Sequence, residues 1–391
     1  MFGSRSARVL RSAVKRGGER MRAGWSAPRS IVTSRFVGRS AAWRAPAAMA
    51  ALAVGGGAAL AVSANECYCA EAGSKVALES VRAGPHAIEK EDMHPIIVLV
   101  HGLDSAKDTW KSTQVELETW GYQTIALDLR AHGESPIGNE ADFNPKQLAK
   151  DMRATIKGMT NRRLILVGHS MGARVAMRYA ADYPEDIGAL IVEDMDTRPR
   201  EYEEPSDEEL ERMRAFTPSF ETKEELDEAL SSFGYADDRI AAWWESGRLV
   251  EKEKGVWSGV NPLAHHLAMK NVLASTDASD AWKSLAKHNG REGFDVHLWV
   301  ADHDSSCARE GKYGSDAMID AVPRTERYKF RPHGHSIHND APIEAAGYIR
   351  YVYNKAQCAI MNRYYRKKSL TRARYPNTNW TVNSGHSGGR C

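Results

Sequence analysis

Cysteine is scarce in this chain: five residues, at 67, 69, 307, 358 and 391, with no CxxC pair among them. That spacing excludes a zinc ribbon or finger and a disulfide-built scaffold, and it leaves the thiols as ordinary side chains. Acidic residues are nearly missing from both ends. Residues 1–44 hold 11 Lys or Arg and one acid, Glu19; residues 363–391 hold 7 basic residues and no acid. The formal net charge of +2 therefore conceals a body, residues 45–362, with 35 basic against 50 acidic residues. A body this acidic lacks the basic footprint of a nucleic-acid binder, and no nucleic-acid partner is expected. Composition is otherwise ordinary for a globular chain, at 42% hydrophobic and 27% charged, so a large core is available.

The Arg-, Ser- and Ala-rich segment 1–44 has the composition of an organelle-targeting peptide. Behind it, Ala45 to Ala64 is an Ala/Gly/Val run broken by Pro46 and Ser63. It is long enough for a weak membrane anchor, and equally suits a sorting signal cut near the small residues Val62 to Ala64. The pair predicts delivery to a mitochondrion, in the intermembrane space or at the inner membrane, with a plastid as the alternative.

What the chain does contain is GHSMG, Gly168 to Gly172, between the apolar run Leu164 to Val167 and the helix-like ARVAMRYAADY. Strand, sharp turn and helix with Ser170 at the turn is the nucleophile-elbow pattern. Upstream, Ile96 to Val100 reads as a strand buried on both faces and ends in HGLDSA. The amides of Leu103 and Met171 are the candidate oxyanion-hole donors, one from that loop and one from the helix opened by the elbow. His101 reads as a loop brace, as do Arg130 and His132 in RAHGES after the strand Gln123 to Leu129; Pro145 to Met159 reads as an amphipathic helix.

Beyond the elbow, ALIVEDMD, Ala189 to Asp196, is a strand that ends in carboxylates: Glu193, Asp194 and Asp196. From 197 to 293 the strand rhythm stops and acid-rich helical patterns take over, the signature of a lid inserted in the core. Trp243, Trp244, Trp257 and Trp282 lie there, as packing residues or as an apolar wall over an acyl group, with His265 and His266 as surface or packing residues. The core then resumes with VHLWVADHDSS, placing Asp302 and Asp304 after a strand, and with RPHGHSIHNDAP, in which His335 is the candidate base and His333 and His338 its competitors. The order Ser, Asp, His is that of a serine-hydrolase triad.

HGLDS, DLRAHGES, GHSMGARVAMRYA, the acid after VHLWV and GHSIHND together resemble the α/β-hydrolase fold: a mostly parallel sheet, helices on both faces and an inserted helical lid. The resemblance covers about 75–362, split into core segments 75–196 and 294–362 around the lid. ALIVEDMD and WSGVNPL are similar to the small acyl-ester esterases of bacteria and their mitochondrial relatives, the abhydrolase-domain proteins. The resemblance implies a carboxylic ester or thioester hydrolase acting through an acyl-serine, with no cofactor and no metal. Its sites are Ser170, His335 and an acid, with Asp304 preferred and Asp194, on the preceding strand, as the alternative. The alternative function is a catalytically silent scaffold or binding subunit at an organelle membrane. Membrane association is expected, if anywhere, through 45–64 or the basic C-terminal tail 363–391.

Overall fold

The computed structural model describes residues 75–84, 93–290, 293–307 and 311–374. The leader-like segment 1–44 and the apolar segment 45–64 lie outside the described residues, as does the tail beyond Arg374. Ten strands are present among the described residues: β1 (Ser80–Ala83), β2 (Ile96–Val100), β3 (Thr124–Leu127), β4 (Leu164–His169), β5 (Ile187–Glu193), the short β6 (Ser219–Phe220), β7 (Leu249–Glu251) and β8 (Val256–Ser258), then β9 (Asp295–Ala301) and β10 (Glu326–Phe330). The helices are α1 (Lys111–Thr119), α2 (Pro145–Met159), α3 (Met171–Asp182), α4 (Asp207–Ala215), α5 (Lys223–Ser231), α6 (Asp237–Glu245), α7 (Pro262–Ala268), α8 (Asp277–Ser284), α9 (Ser315–Ala321), α10 (Ile337–Asp340) and α11 (Pro342–Arg374).

Seven strands form the central sheet in the order β1-β3-β2-β4-β5-β9-β10. All pairs are parallel except β1 with β3. Alternation explains the unbroken apolar runs: successive side chains face opposite sides, and both sides are covered. In β2, Ile96, Val98 and Val100 enter one core while Ile97 and Leu99 enter the other. Helices α2, α3 and α8 cover the first face, and α1 and α11 the second. Helix α2 shows how local sequence sets an element: Asn144 caps it by accepting from the Gln147 N–H, Pro145 fits its first turn, and Leu148, Met152 and Ile156 line the buried stripe. From β2 the chain steps outward to β3, then returns to place β4 on the other side of β2. The carboxyl ends of β2 and β4 thus flank the switch point where open α/β sheets bind ligands.

The excursion between β5 and β9 differs from an all-helical lid. Besides α4 to α7 it holds a small antiparallel sheet, β6-β8-β7, whose two- and three-residue strands are too short to show a period-two signal. It has its own core, including Leu226, Leu230, Ile240, Trp243 and Leu249. Helix α8, in contrast, packs on α3, and Trp282 is buried in the main core with Nε1–H donating to Met318 O at 2.8 Å. The last helix crosses the compositional boundary at 363. It runs on to Arg374, because nothing after Gly347 breaks it until Pro376. No helix among the described residues is long and apolar enough to cross a membrane.

Candidate active site

Ser170 occupies the tip between β4 and α3 with φ 51° and ψ −121°. A non-glycine residue there carries about 1–3 kcal/mol of strain, tolerated only where neighbours fix it. They do: the Ser170 N–H donates to Glu193 O at 3.1 Å, and the flanking glycines admit no Cβ. One on Gly172 would meet His101 O at 2.2 Å, and one on Gly168 would meet the Ala173 Cα at 2.7 Å. The loop after β2 also packs here, since a Cβ on Gly102 would lie 2.8 Å from His169 Nδ1 and 3.1 Å from the Ser170 Cβ. Leu103 therefore follows a residue already touching the serine, and Met171 opens α3 with an N–H that no preceding carbonyl of the helix can take.

His335 Nε2 lies 3.0 Å from Ser170 Oγ, and its Nδ1 lies 2.7 Å from Asp194 Oδ2. Asp194 is fully buried; it also accepts from the Ala301 N–H at 2.9 Å, the Ser306 N–H at 3.0 Å and the Ser305 hydroxyl. The preference for Asp304 is thereby corrected. Asp304 is exposed in a left-handed turn, φ 50°, and that turn aims the two serines after it at Asp194, so the loop after β9 supplies donors rather than the acid. Asp302 is spent on ion pairs with Lys329 and Arg331. Asp196, buried, receives Arg200 at 2.7 Å and Arg174, whose guanidinium also binds Leu273 O at 2.8 Å and so ties α3 to the base of the excursion.

The bracing residues fall where the sequence suggests. His101 contacts Gly102 O through Nδ1 at 2.7 Å and accepts the Leu129 N–H on Nε2 at 2.9 Å, a neutral tautomer that burial keeps, lowering its pKa to about 3. Arg130 and Asp151 form a wholly buried pair at 2.8 Å, and His132 contacts Arg130 O.

Two groups are not evident in the sequence. The first is a buried layer under the triad. His338 donates from its backbone N–H and from Nδ1 to Glu193 Oε1, at 3.0 and 2.8 Å. Its Nε2 faces the Thr109 hydroxyl at 3.0 Å, and its ring stacks on Trp110 at 4.0 Å. His169 Nε2 lies 3.1 Å from His335 O. Burial keeps both imidazoles neutral and pushes the Glu193 carboxyl up to about 7. His169, Glu193 and His338 have the donor atoms for a metal within 4.8 Å of one another, but both His338 nitrogens already have protein partners, and a neutral hydrogen-bonded cluster accounts for the arrangement. At Asp295, His297 and Glu326, Lys355 already supplies the cation. The second group is a latch. Asp104, buried in the loop after β2, accepts from Arg239 of α6 at 2.8 Å and from His265 of α7 at 2.9 Å. Burial works to raise the Asp104 carboxyl, but the His265 hydrogen bond and Arg239 more than reverse it, holding it below the usual range. The excursion is thus fastened to the loop that touches Ser170, and His265 is a latch residue rather than simple packing.

Sequence and structure comparisons agree with this architecture. The family described as alpha/beta hydrolase fold matches residues 95–342, more than half of the chain, and the chain belongs to that family. A protein of Escherichia coli named "Putative carbamate hydrolase RutD" is 33% identical over 97 residues, 25% of this chain and 36% of that protein. One of Haemophilus influenzae named "Putative esterase/lipase" is 32% identical over 116 residues, 30% of this chain and 39% of that protein. Each match spans little more than a third of the relative's length. Among solved structures, E-2-(acetamidomethylene)succinate hydrolase superposes with a TM-score of 0.51 at 20% identity, over 71% of this chain and 96% of that one.

Proposed function

We propose that this protein is a serine hydrolase that cleaves carboxylic esters or thioesters of a small to medium acyl group through an acyl-serine intermediate. The observation that carries the reading is the hydrogen-bonded chain from Ser170 through His335 to Asp194, at 3.0 and 2.7 Å. Nδ1–H donates to Asp194, which leaves the Nε2 lone pair facing the Ser170 hydroxyl. As Oγ attacks the acyl carbonyl, Nε2 takes its proton. Asp194 then stabilises the imidazolium, and the amides of Leu103 and Met171 hold the oxyanion, each such donor worth about 3 kcal/mol in the transition state. Collapse expels the alcohol or thiol, protonated by Nε2–H; water, deprotonated by the same nitrogen, releases the acid.

Labelling of the purified protein with a fluorophosphonate, followed by peptide mapping, tests this reading. Stoichiometric modification of Ser170, lost in His335→Ala, is expected. A folded protein that stays unlabelled would overturn it and turn attention to a scaffold role. The composition of 1–64 supports delivery to a mitochondrion, and import assays with and without that segment test the destination.

A further inference from the structure

A cavity of about 660 Å³ lies between the β7–β8 hairpin and the loops after β2 and β3. Arg248, the residue before β7, lines it with a half-buried side chain that has no hydrogen-bond or ion-pair partner among the described residues. With no protein partner, that guanidinium is available to an anion in the cavity. The nearby carboxylate, Asp104, is already taken by Arg239 and His265. The other cations of the wall are Lys107, Lys111 and Lys252, the last over the Trp257 ring at 4.7 Å. Against them stand Asp108 and Glu134, and Lys107 is spent on Glu134 at 2.8 Å and on the buried Asp128 at 2.7 Å, which leaves Arg248, Lys111 and Lys252 facing Asp108. The cavity therefore has a net excess of positive charge in a body that is acidic overall.

Its wall reaches the buried layer under the triad. Thr109 and Asn339 form part of its wall; the Thr109 hydroxyl bonds His338, and Asn339 lies on α10, which begins two residues after His335. The Arg248 charge is close enough to act on Asp104, His101 and His338, the first two in the loop that presses on Ser170.

We propose that this cavity receives an anionic arm of the substrate, a carboxylate or phosphate held by Arg248 with Lys111 and Lys252 on the same wall, and that Arg248 sets a preference for anionic esters or thioesters. A planar guanidinium matches both oxyanions bidentately, and the lysines add charge without geometry. The proposal rests on Ser170 being the nucleophile, so its test has one arm that turnover does not touch.

The kinetic arm compares two pairs of substrates: para-nitrophenyl hydrogen glutarate against para-nitrophenyl butyrate, for a carboxylate on the acyl side, and acetyl-coenzyme A against S-acetyl-N-acetylcysteamine, for phosphates on the leaving group. The wild type is expected to favour the anionic member of at least one pair in kcat/KM. That ratio should fall about ten-fold or more in Arg248→Gln, and less in Arg248→Lys, which keeps the charge. The pair that responds identifies the anion. The binding arm titrates glutarate and coenzyme A calorimetrically into Ser170→Ala, with and without Arg248→Gln, whose fold is checked by its melting temperature. Arg248-dependent binding without turnover of any ester sinks the hydrolase reading and keeps the anion site. Turnover with both ratios within about two-fold of wild type overturns the anion site and keeps the hydrolase, and so does the absence of Arg248-dependent binding of either probe.

Discussion

Replacing Asp194 by Asn separates the two candidate acids most sharply. The carboxylate accepts four hydrogen bonds: Ala301 N–H and Ser305 O–H on Oδ1, Ser306 N–H and His335 Nδ1–H on Oδ2. An amide offers one oxygen. If its NH₂ replaces Oδ2, it opposes Ser306 N–H and forces the His335 proton onto Nε2, so that an N–H rather than a lone pair faces Ser170. If it replaces Oδ1, it opposes Ala301 N–H instead. Either way one or two buried donors lose a partner at about 1–3 kcal/mol each, so stability should drop by about 3 kcal/mol. Activity should drop far more where the tautomer is wrong, by about 10⁴-fold in kcat, or about 5.5 kcal/mol in the barrier. Asp304→Asn should stay within about two-fold, because the side chain is exposed and Asn tolerates the left-handed backbone. The assay is kcat/KM on para-nitrophenyl butyrate, with urea unfolding of each variant. A hundred-fold loss in Asp304→Asn beside a loss under ten-fold in Asp194→Asn would refute the assignment.

Gly172→Ala should leave no soluble native protein, since its Cβ would sit 2.2 Å from His101 O; a melting temperature near wild type would contradict the close packing of α3 on the β2 end. Asp104→Asn should loosen the latch to Arg239 and His265, raising KM more than it lowers kcat, and steady-state kinetics showing neither parameter changed beyond two-fold would dismiss the latch. Glu193 has a raised folded pKa: between its ordinary value of 4.5 and about 7 the native state keeps a proton that the unfolded chain releases, so native stability falls as pH rises through that window, by about 3 kcal/mol in all. Glu193→Gln should therefore melt higher than wild type by roughly 6 °C at pH 8 relative to the gap at pH 5; a pH-independent gap would rule the linkage out. His101 and His338 run the other way, with folded pKa values depressed from 6.5 to about 3. Their stabilisation is complete above 6.5 and is lost as pH falls, about 3 kcal/mol from each by pH 4.5. Circular dichroism should show acid unfolding setting in below that pH, and a native fold at pH 3 would count against neutral imidazoles.

The elements set by continuous runs were legible, and those set by contact between distant segments were not. Helix α2 falls on Pro145–Met159 as the pattern indicates, because a cap, a proline and an apolar stripe all act within fifteen residues. GHSMG could be read as an elbow because its glycines serve contacts made within the turn and with the adjoining strand end. In contrast, nothing local marks Asp104 as a latch: its partners are 135 and 161 residues away. Glu193 meets His338 across 145 residues, and the sequence shows only one acid among three at a strand end. Arg248 sits in the short turn between α6 and β7, where a basic residue looks like any solvated one. Charge and exposure are properties of the assembled surface, and no window of sequence contains them.

The two aspartates that compete on paper follow from the sheet order. Strands β5 and β9 are paired neighbours, with Glu193 opposite Trp299, so the residues leaving either strand emerge side by side beneath the same histidine. What decides between them is how soon each chain is released from the sheet. Asp194 follows β5 directly, and its own N–H still donates to Trp299 O at 3.0 Å, one further rung of the ladder that fixes the carboxylate before φ turns to 46°. Asp304 comes three residues after β9 ends, on an exposed turn whose product is the pair Ser305 and Ser306 aimed at Asp194. The second aspartate is therefore not a spare acid. Moving the histidine-bound carboxylate to 304 would require the same loop to give up the donors that hold 194, so the Asp304 already present should not rescue Asp194→Asn, and a double substitution should be no less active than Asp194→Asn alone.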